Sequence, residues 1–248
     1  MEEADRQRAA AAVRERMLDS FAPTYLTLIS ILQGSLLGYL FYVADQFFGA
    51  WKDQPLAILG LARILFIGSA LIVNIATWNE YRMGSTTFVW IPRLPDTLVP
   101  FGLSLVQFSL IRTILLHPKY WFLSMAVFWA VAAFGFWHMY YRAGREIEIN
   151  GAALKALATY RRSNPLLCGA CSTANLLFSA LLWNLHLDKH QPSALLLMLA
   201  AVSVVFLLSV FIRGELSWSR VIQFSRGEVR VGTSRASRVK PDTCETDA

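Results

Sequence analysis

Apolar residues gather into six long runs that short polar stretches separate. A helix needs roughly twenty residues to cross a bilayer, and each of these runs is about that long. The predicted spans cover 21–48, 56–78, 97–116, 120–141, 165–187 and 193–212. The pattern predicts an all-α integral membrane protein whose 21–212 region is a six-transmembrane-helix bundle. The turns between spans 3 and 4 and between spans 5 and 6 are short, so both pairs are predicted to be antiparallel neighbours.

Polar segments outside the spans complete the predicted domain organisation. Residues 1–20 form a charged cytoplasmic N-terminal helix, and residues 213–248 form a basic cytoplasmic C-terminal tail. Residues 142–164 alternate apolar and charged side chains, which predicts an interfacial connector. Within it, Asn150-Gly151 indicates a turn, followed by a short helix that Asn164-Pro165 closes.

Composition agrees with a bilayer location. Of the 248 residues 55% are hydrophobic and 16% are charged, with a mean hydropathy of +0.43. These values exclude disordered, collagenous and disulfide-scaffold classes and disfavour an ordinary soluble domain.

The distribution of basic residues predicts the orientation. With the N-terminus inside, eighteen of the 23 Lys and Arg residues lie on the inner side, whereas Lys52, Lys119 and Lys189 lie outside. Such a bias places both termini in the cytoplasm. Seven of the eight tryptophans fall at span ends, as expected for headgroup boundaries.

The net charge of +6 follows from the same bias. We expect a multi-pass protein of a bacterial inner membrane whose basic face contacts anionic lipid of the inner leaflet, with no nucleic-acid partner. A homo-oligomer and a cytoplasmic protein partner remain open.

Intact catalytic motifs are absent, so no cofactor is predicted and an enzyme is the least favoured class. Cys168 and Cys171 form a C-x-x-C pair of the kind that membrane thiol oxidoreductases use. Small residues surround this pair and the predicted side is reducing, which favours close helix packing instead. His117, His186 and His190 fix no ligand set by their spacing, so no metal site is predicted.

Charged residues within the spans are the first candidates for function, because the bilayer penalises them. Asp45, Arg63 and Arg112 lie at similar predicted depth toward the outer leaflet. They could form a structural clamp, with Asp45 paired to one of the arginines, or a site for an anion.

Polar side chains also form two stripes on adjacent spans. Arg63 and Asn74 are eleven residues apart on span 2, and Asp96 and Gln107 have the same spacing on span 3. Eleven residues make about three turns, so each pair shares a helix face. The stripes could line a water-filled path, or their side chains could hydrogen-bond with each other and so hold the two helices together.

The inner connection between spans 2 and 3 is predicted to be a loop that caps a vestibule or binds a partner. Its aromatic and charged residues are Trp78, Glu80, Tyr81, Arg82, Trp90 and Arg93.

Three function classes follow. The favoured hypothesis is a channel- or transporter-like pathway for a small ion or solute, lined by Asp45, Arg63, Asn74, Asp96, Gln107 and Arg112. The alternative is a non-catalytic scaffold or signalling subunit that docks a cytoplasmic partner. A membrane thiol oxidoreductase that uses Cys168 and Cys171 is the second alternative.

Overall fold

The protein is built from α-helices. A computed structural model describes residues 2–51, 58–88, 90, 93–184 and 194–225, and these ranges contain no β-strand. Within them the helices are α1 (Glu2–Trp51), α2 (Ile58–Thr87), α3 (Leu94–Thr113), α4 (Pro118–Arg145), α5 (Ile147–Ala156), α6 (Ala158–Asn184) and α7 (Ala194–Ser225). All of these except α5 contain a stretch long and apolar enough to cross a membrane. The chain is therefore a multi-pass membrane protein.

The six long helices pack in a closed ring. Their order around the bundle is α1, α2, α7, α6, α4, α3 and back to α1. The most extensive contacts join α4 to α6 and α2 to α7. Thus α3 and α4 are neighbours. Helices α6 and α7 also touch, but α6 packs mainly on α4 and α7 mainly on α2. The short helix α5 contacts α4, α6 and α7.

Aromatic side chains fill much of the bundle interior. Phe66 of α2 stacks on Trp121 of α4 with ring centroids 4.5 Å apart, and its edge meets Phe122 at 5.7 Å. Large apolar side chains such as Leu105 and Leu166 point outward and are 69% and 76% exposed. An apolar exterior of this kind suits contact with acyl chains.

Helices α1, α2 and α7 each extend well beyond one end of the predicted span. Residues 2–20 and the first span belong to one helix, α1. Helix α2 continues to Thr87, so the prediction that Thr77 to Ser85 belong to a loop between spans 2 and 3 is wrong. Gly84 lets α4 approach α2 closely there, because a Cβ at this position would lie 2.7 Å from Met139 Sδ. Residue 213 lies inside α7, and residues 226–248 of the predicted tail lie outside the described residues.

The connector after α4 contains a helix, but its turn lies elsewhere than predicted. Helix α5 runs through Asn150 and Gly151, where a turn was expected. The break falls instead at Glu146, and Asn150 Nδ2 donates to the Ala143 carbonyl at 3.1 Å near the end of α4. Helix α6 likewise runs through Pro165, whereas the fifth span was predicted to start at that residue.

Candidate functional site

A layer of buried amide and hydroxyl groups joins α1, α2 and α3. Gln33 Nε2 donates to Gln107 Oε1 at 3.0 Å, and Gln107 Nε2 donates to Thr77 Oγ1 at 2.8 Å. Asn74 Nδ2 donates to the Gln33 carbonyl at 3.1 Å. All four side chains are buried, so this polar layer closes the space between the three helices.

The polar layer brings together Asn74 and Gln107, which the two sequence stripes placed on facing helices. It also recruits Gln33 and Thr77, which sequence reasoning did not select. Gln33 Oε1 has no hydrogen-bond partner among the described residues. The layer therefore closes the space by hydrogen bonds and leaves one buried acceptor, Gln33 Oε1, without a donor among the described residues.

Asp96 links the start of α3 to the far end of α4. Its Oδ2 accepts from the backbone N–H of Arg93 at 2.6 Å, which caps the first turn of α3. Its Oδ1 lies 3.3 Å from Arg142 Nε and 3.5 Å from His138 Nε2. Since Asp96 and Arg142 are both buried, their charges compensate each other in a low-dielectric setting.

Glu80 of α2 is held by two uncharged donors. The Tyr160 hydroxyl donates to its Oε1 at 2.8 Å, and Trp218 Nε1 donates to its Oε2 at 2.9 Å. Within the described ranges, no Lys, Arg or His side chain lies within ion-pair distance of this carboxyl group. Glu80 therefore joins α2, α6 and α7 through hydrogen bonds without a compensating cation.

A cavity of about 100 Å³ lies between these two carboxyl groups and below the polar layer. Thr77 forms part of its wall and so connects the cavity to the layer; Glu80, Asp96 and His138 supply further polar groups. Aliphatic residues line part of the wall, and seven aromatic side chains line much of what remains: Tyr25, Tyr81, Trp90, Phe128, Trp129, Phe136 and Phe211. The volume is several times what one water molecule requires. The arrangement can hold a small solute that is mainly apolar and carries one polar group.

The six residues of the predicted partner loop divide between two surfaces. Glu80, Tyr81 and Trp90 line the cavity. Trp78 and Arg82 lie on the exposed face of α2, where the Arg82 guanidinium sits 5.2 Å from the Trp78 ring centroid.

Arg93, the last of the six, is exposed and precedes α3. The surface that remains for a partner is therefore smaller than the sequence suggested.

The outer charged residues do not assemble in the described part of the chain. Asp45 and Arg112 are both exposed. Arg63 is half-buried and its Nη2 donates to the Leu115 carbonyl at 3.3 Å. No ion pair joins Asp45 to either arginine among the described residues, so the predicted pairing is replaced by an arginine bond to the backbone at the end of α3.

Cys168 and Cys171 of α6 are free thiols that are buried in the main apolar core of the bundle. Nearby, the hydroxyl of Ser172 donates to the Ala126 carbonyl at 2.8 Å, and that of Ser179 to the Lys119 carbonyl at 3.0 Å. This dense contact supports the interpretation of the small-residue stretch as packing.

His117 accepts from the Lys119 backbone N–H at 3.3 Å at the start of α4, whereas His186 and His190 lie outside the described residues.

Sequence reasoning missed His138, Tyr160 and Trp218. His138 and Arg142 are four residues apart, so they share a face of α4, and this spacing was a usable signal. Tyr160 and Trp218 are 80 and 138 residues from Glu80, and no local pattern connects them.

Comparison of the chain with protein-family models, with curated protein sequences and with solved structures finds no match.

Proposed function

We propose that the chain is a membrane carrier for a small, largely apolar solute that bears a positive charge, and that the cavity is its binding site. The observation that carries this proposal is Glu80, a carboxyl group that lines an aromatic cavity and whose hydrogen-bond donors within the described ranges are all uncharged. A cationic solute would supply the missing compensation.

The rest of the cavity suits the same ligand class. The charge of Asp96 is offset by Arg142, so among the described residues that line the cavity Glu80 is the uncompensated acidic group. Faces of Tyr, Trp and Phe rings attract cations, and the attraction is worth about 2 kcal/mol or more when the cation is desolvated. Apolar walls with a few fixed polar groups are the usual makeup of a small-molecule site.

The polar layer favours a carrier over an open channel. Gln33, Asn74, Thr77 and Gln107 close the bundle directly above the cavity. A solute that enters the cavity can cross only if these hydrogen bonds exchange partners. The spare acceptor Gln33 Oε1 reduces the cost of that exchange, because the layer is not fully satisfied in the closed arrangement. Alternating access about a closed site is how carriers work.

A scaffold without transport is the second candidate. It is supported by the mutual hydrogen bonding of Gln33, Asn74 and Gln107, which is the way membrane bundles use amide side chains as glue. In this case the cavity is a packing defect and the polar layer never opens. The scaffold therefore predicts no solute flux.

Flux measurements on purified protein in liposomes separate the two candidates. The solutes are tetramethylammonium, trimethylacetate as a size-matched anion, and erythritol as a neutral polyol. We expect uptake of tetramethylammonium above that of empty liposomes. Glu80→Gln should reduce it about tenfold or more, because a hydrogen bond or contact with a charged group is worth roughly 1.5–3 kcal/mol.

Glu148→Gln is the matched control. Glu148 is an exposed carboxyl group of α5 and lies outside the cavity wall. Its loss should leave uptake unchanged. If none of the three solutes enters faster than into empty liposomes, the scaffold takes the place of the carrier; uptake that Glu80→Gln leaves intact would remove Glu80 from the site.

A further inference from the structure

A second concavity lies on the side of the bundle, between the start of α6 and the last part of α7. Its volume is about 490 Å³. Two basic residues, Arg213 and Arg220, line it together with the apolar side chains of Leu157, Ile212 and Leu216. Among the described residues, this α6–α7 groove shares no lining residue with the central cavity.

The two arginines are positioned to act on one ligand. They are seven residues apart on α7, which is close to two full turns, so both side chains lie on the same face of the helix. Arg213 Nη2 donates to Ser163 Oγ of α6 at 2.5 Å, which holds its guanidinium beside the groove. Among the described residues no carboxyl group lies within ion-pair distance of either arginine. The groove therefore carries uncompensated positive charge.

The position of the groove relative to the bilayer decides which anion it suits. Helix α7 contains 32 residues, about 48 Å of helix, whereas the hydrocarbon core of a bilayer is about 30 Å thick. A crossing of roughly twenty residues that begins at Ala194 ends near Arg213. Arg213 and Arg220 then lie at headgroup level, while Leu157, Ile212 and Leu216 provide apolar walls next to them. A ligand with a phosphate and an acyl chain matches both features.

We propose that the α6–α7 groove binds one anionic phospholipid. The phosphate accepts hydrogen bonds from Arg213 and Arg220, and an acyl chain follows Leu157, Ile212 and Leu216 toward the bilayer core. The site is independent of the proposed carrier function, because neither arginine lines the central cavity.

Native mass spectrometry of the detergent-solubilised full chain tests this site, with phosphatidylglycerol and phosphatidylcholine added in turn. We expect one retained phosphatidylglycerol per chain and weaker retention of phosphatidylcholine. The double variant Arg213→Gln/Arg220→Gln should weaken phosphatidylglycerol binding about thirtyfold. Arg213→Lys/Arg220→Lys should retain most of the binding, because the charge remains.

The matched control removes two other exposed arginines, Arg82→Gln/Arg145→Gln. These side chains lie over the Trp78 and Tyr141 rings, outside the groove. An equal loss in the control would show general surface attraction and overturn the site, as would unchanged binding in the Arg213/Arg220 double variant. Displacement of the lipid by millimolar inorganic phosphate would show a free-anion site and exclude the lipid.

Discussion

Gly214 determines how closely α7 approaches Glu80. A Cβ at this position would lie 2.5 Å from Glu80 Oε1 and 3.1 Å from the Tyr160 hydroxyl oxygen. The carboxyl group cannot move aside freely, because Tyr160 and Trp218 hold one oxygen each. A side chain at 214 therefore competes directly with the hydrogen bonds that join α2, α6 and α7.

We predict that Gly214→Ala lowers the free energy of unfolding by about 1–3 kcal/mol, the usual cost of overpacking a fitted site. The measurement is equilibrium unfolding in mixed detergent micelles. The same substitution should also weaken solute uptake, since it displaces the Glu80 carboxyl group.

Two other glycines serve as controls for that prediction. Gly169 has nothing within 4 Å of a built Cβ, so Gly169→Ala should leave stability unchanged or raise it by up to about 1 kcal/mol. Gly84→Ala meets only Met139 Sδ, the end region of a flexible side chain, and should cost less than Gly214→Ala. A Gly214→Ala variant as stable as Gly169→Ala would contradict the close approach.

Helices with long apolar runs were predictable as elements, but their ends were not. The six spans follow from length and hydropathy alone. The end of α2 did not follow from the sequence. Glu80 and Tyr81 are polar enough to suggest a loop, but their partners, Tyr160 and Tyr25, lie on other helices. The turn at Asn150-Gly151 was wrongly predicted for a similar reason. The Asn150 side chain donates to the Ala143 carbonyl across the break at Glu146 and forms no turn of its own.

The candidate site was predictable only where polar residues repeat along one helix. Asn74 and Gln107 were found from their spacing, and Gln33 joins them, because it accepts from Asn74 and donates to Gln107. Asp45, Arg63 and Arg112 have similar predicted depth, yet depth does not fix which side of a helix faces the bundle interior. Depth alone therefore could not establish their contact.

The link between α3 and α4 rests on Asp96, and its removal should be costly. We predict that Asp96→Ala lowers the free energy of unfolding by about 3–5 kcal/mol, because Arg142 would be left buried without its carboxylate. The cap at Arg93 would be lost as well. Unfolding in mixed micelles again provides the measurement.

Asp45→Asn is the control, since Asp45 is exposed and should change stability by no more than about 0.5 kcal/mol. A double-mutant cycle of Asp96→Asn with Arg142→Gln then isolates the pair. The double variant should lose less than the sum of the two single variants. Additive losses would mean that the Asp96–Arg142 contact contributes nothing to the attachment of α3.

At the scale of the whole molecule, the polar layer divides the bundle along its axis into a part with the cavity and a part without it. The polar layer crosses α1, α2 and α3, and the cavity with Glu80 and Asp96 lies on one side of it. On that same side α5 contacts α4, α6 and α7, and the basic α6–α7 groove opens beside it. The orientation in the membrane decides which compartment reaches the cavity and which leaflet reaches the groove.

The basic residues and tryptophans predict that this side faces the cytoplasm. Cysteine labelling checks the orientation in a background in which Cys168, Cys171 and Cys244 are replaced by alanine. A membrane-impermeant maleimide added from outside should modify Lys119→Cys, at the start of α4, because the turn between α3 and α4 is predicted to be external. Lys155→Cys, in α5, should react only after the membrane is permeabilised. The reverse pattern would place the cavity and the groove on the outer side, where the anionic inner leaflet could not supply the lipid.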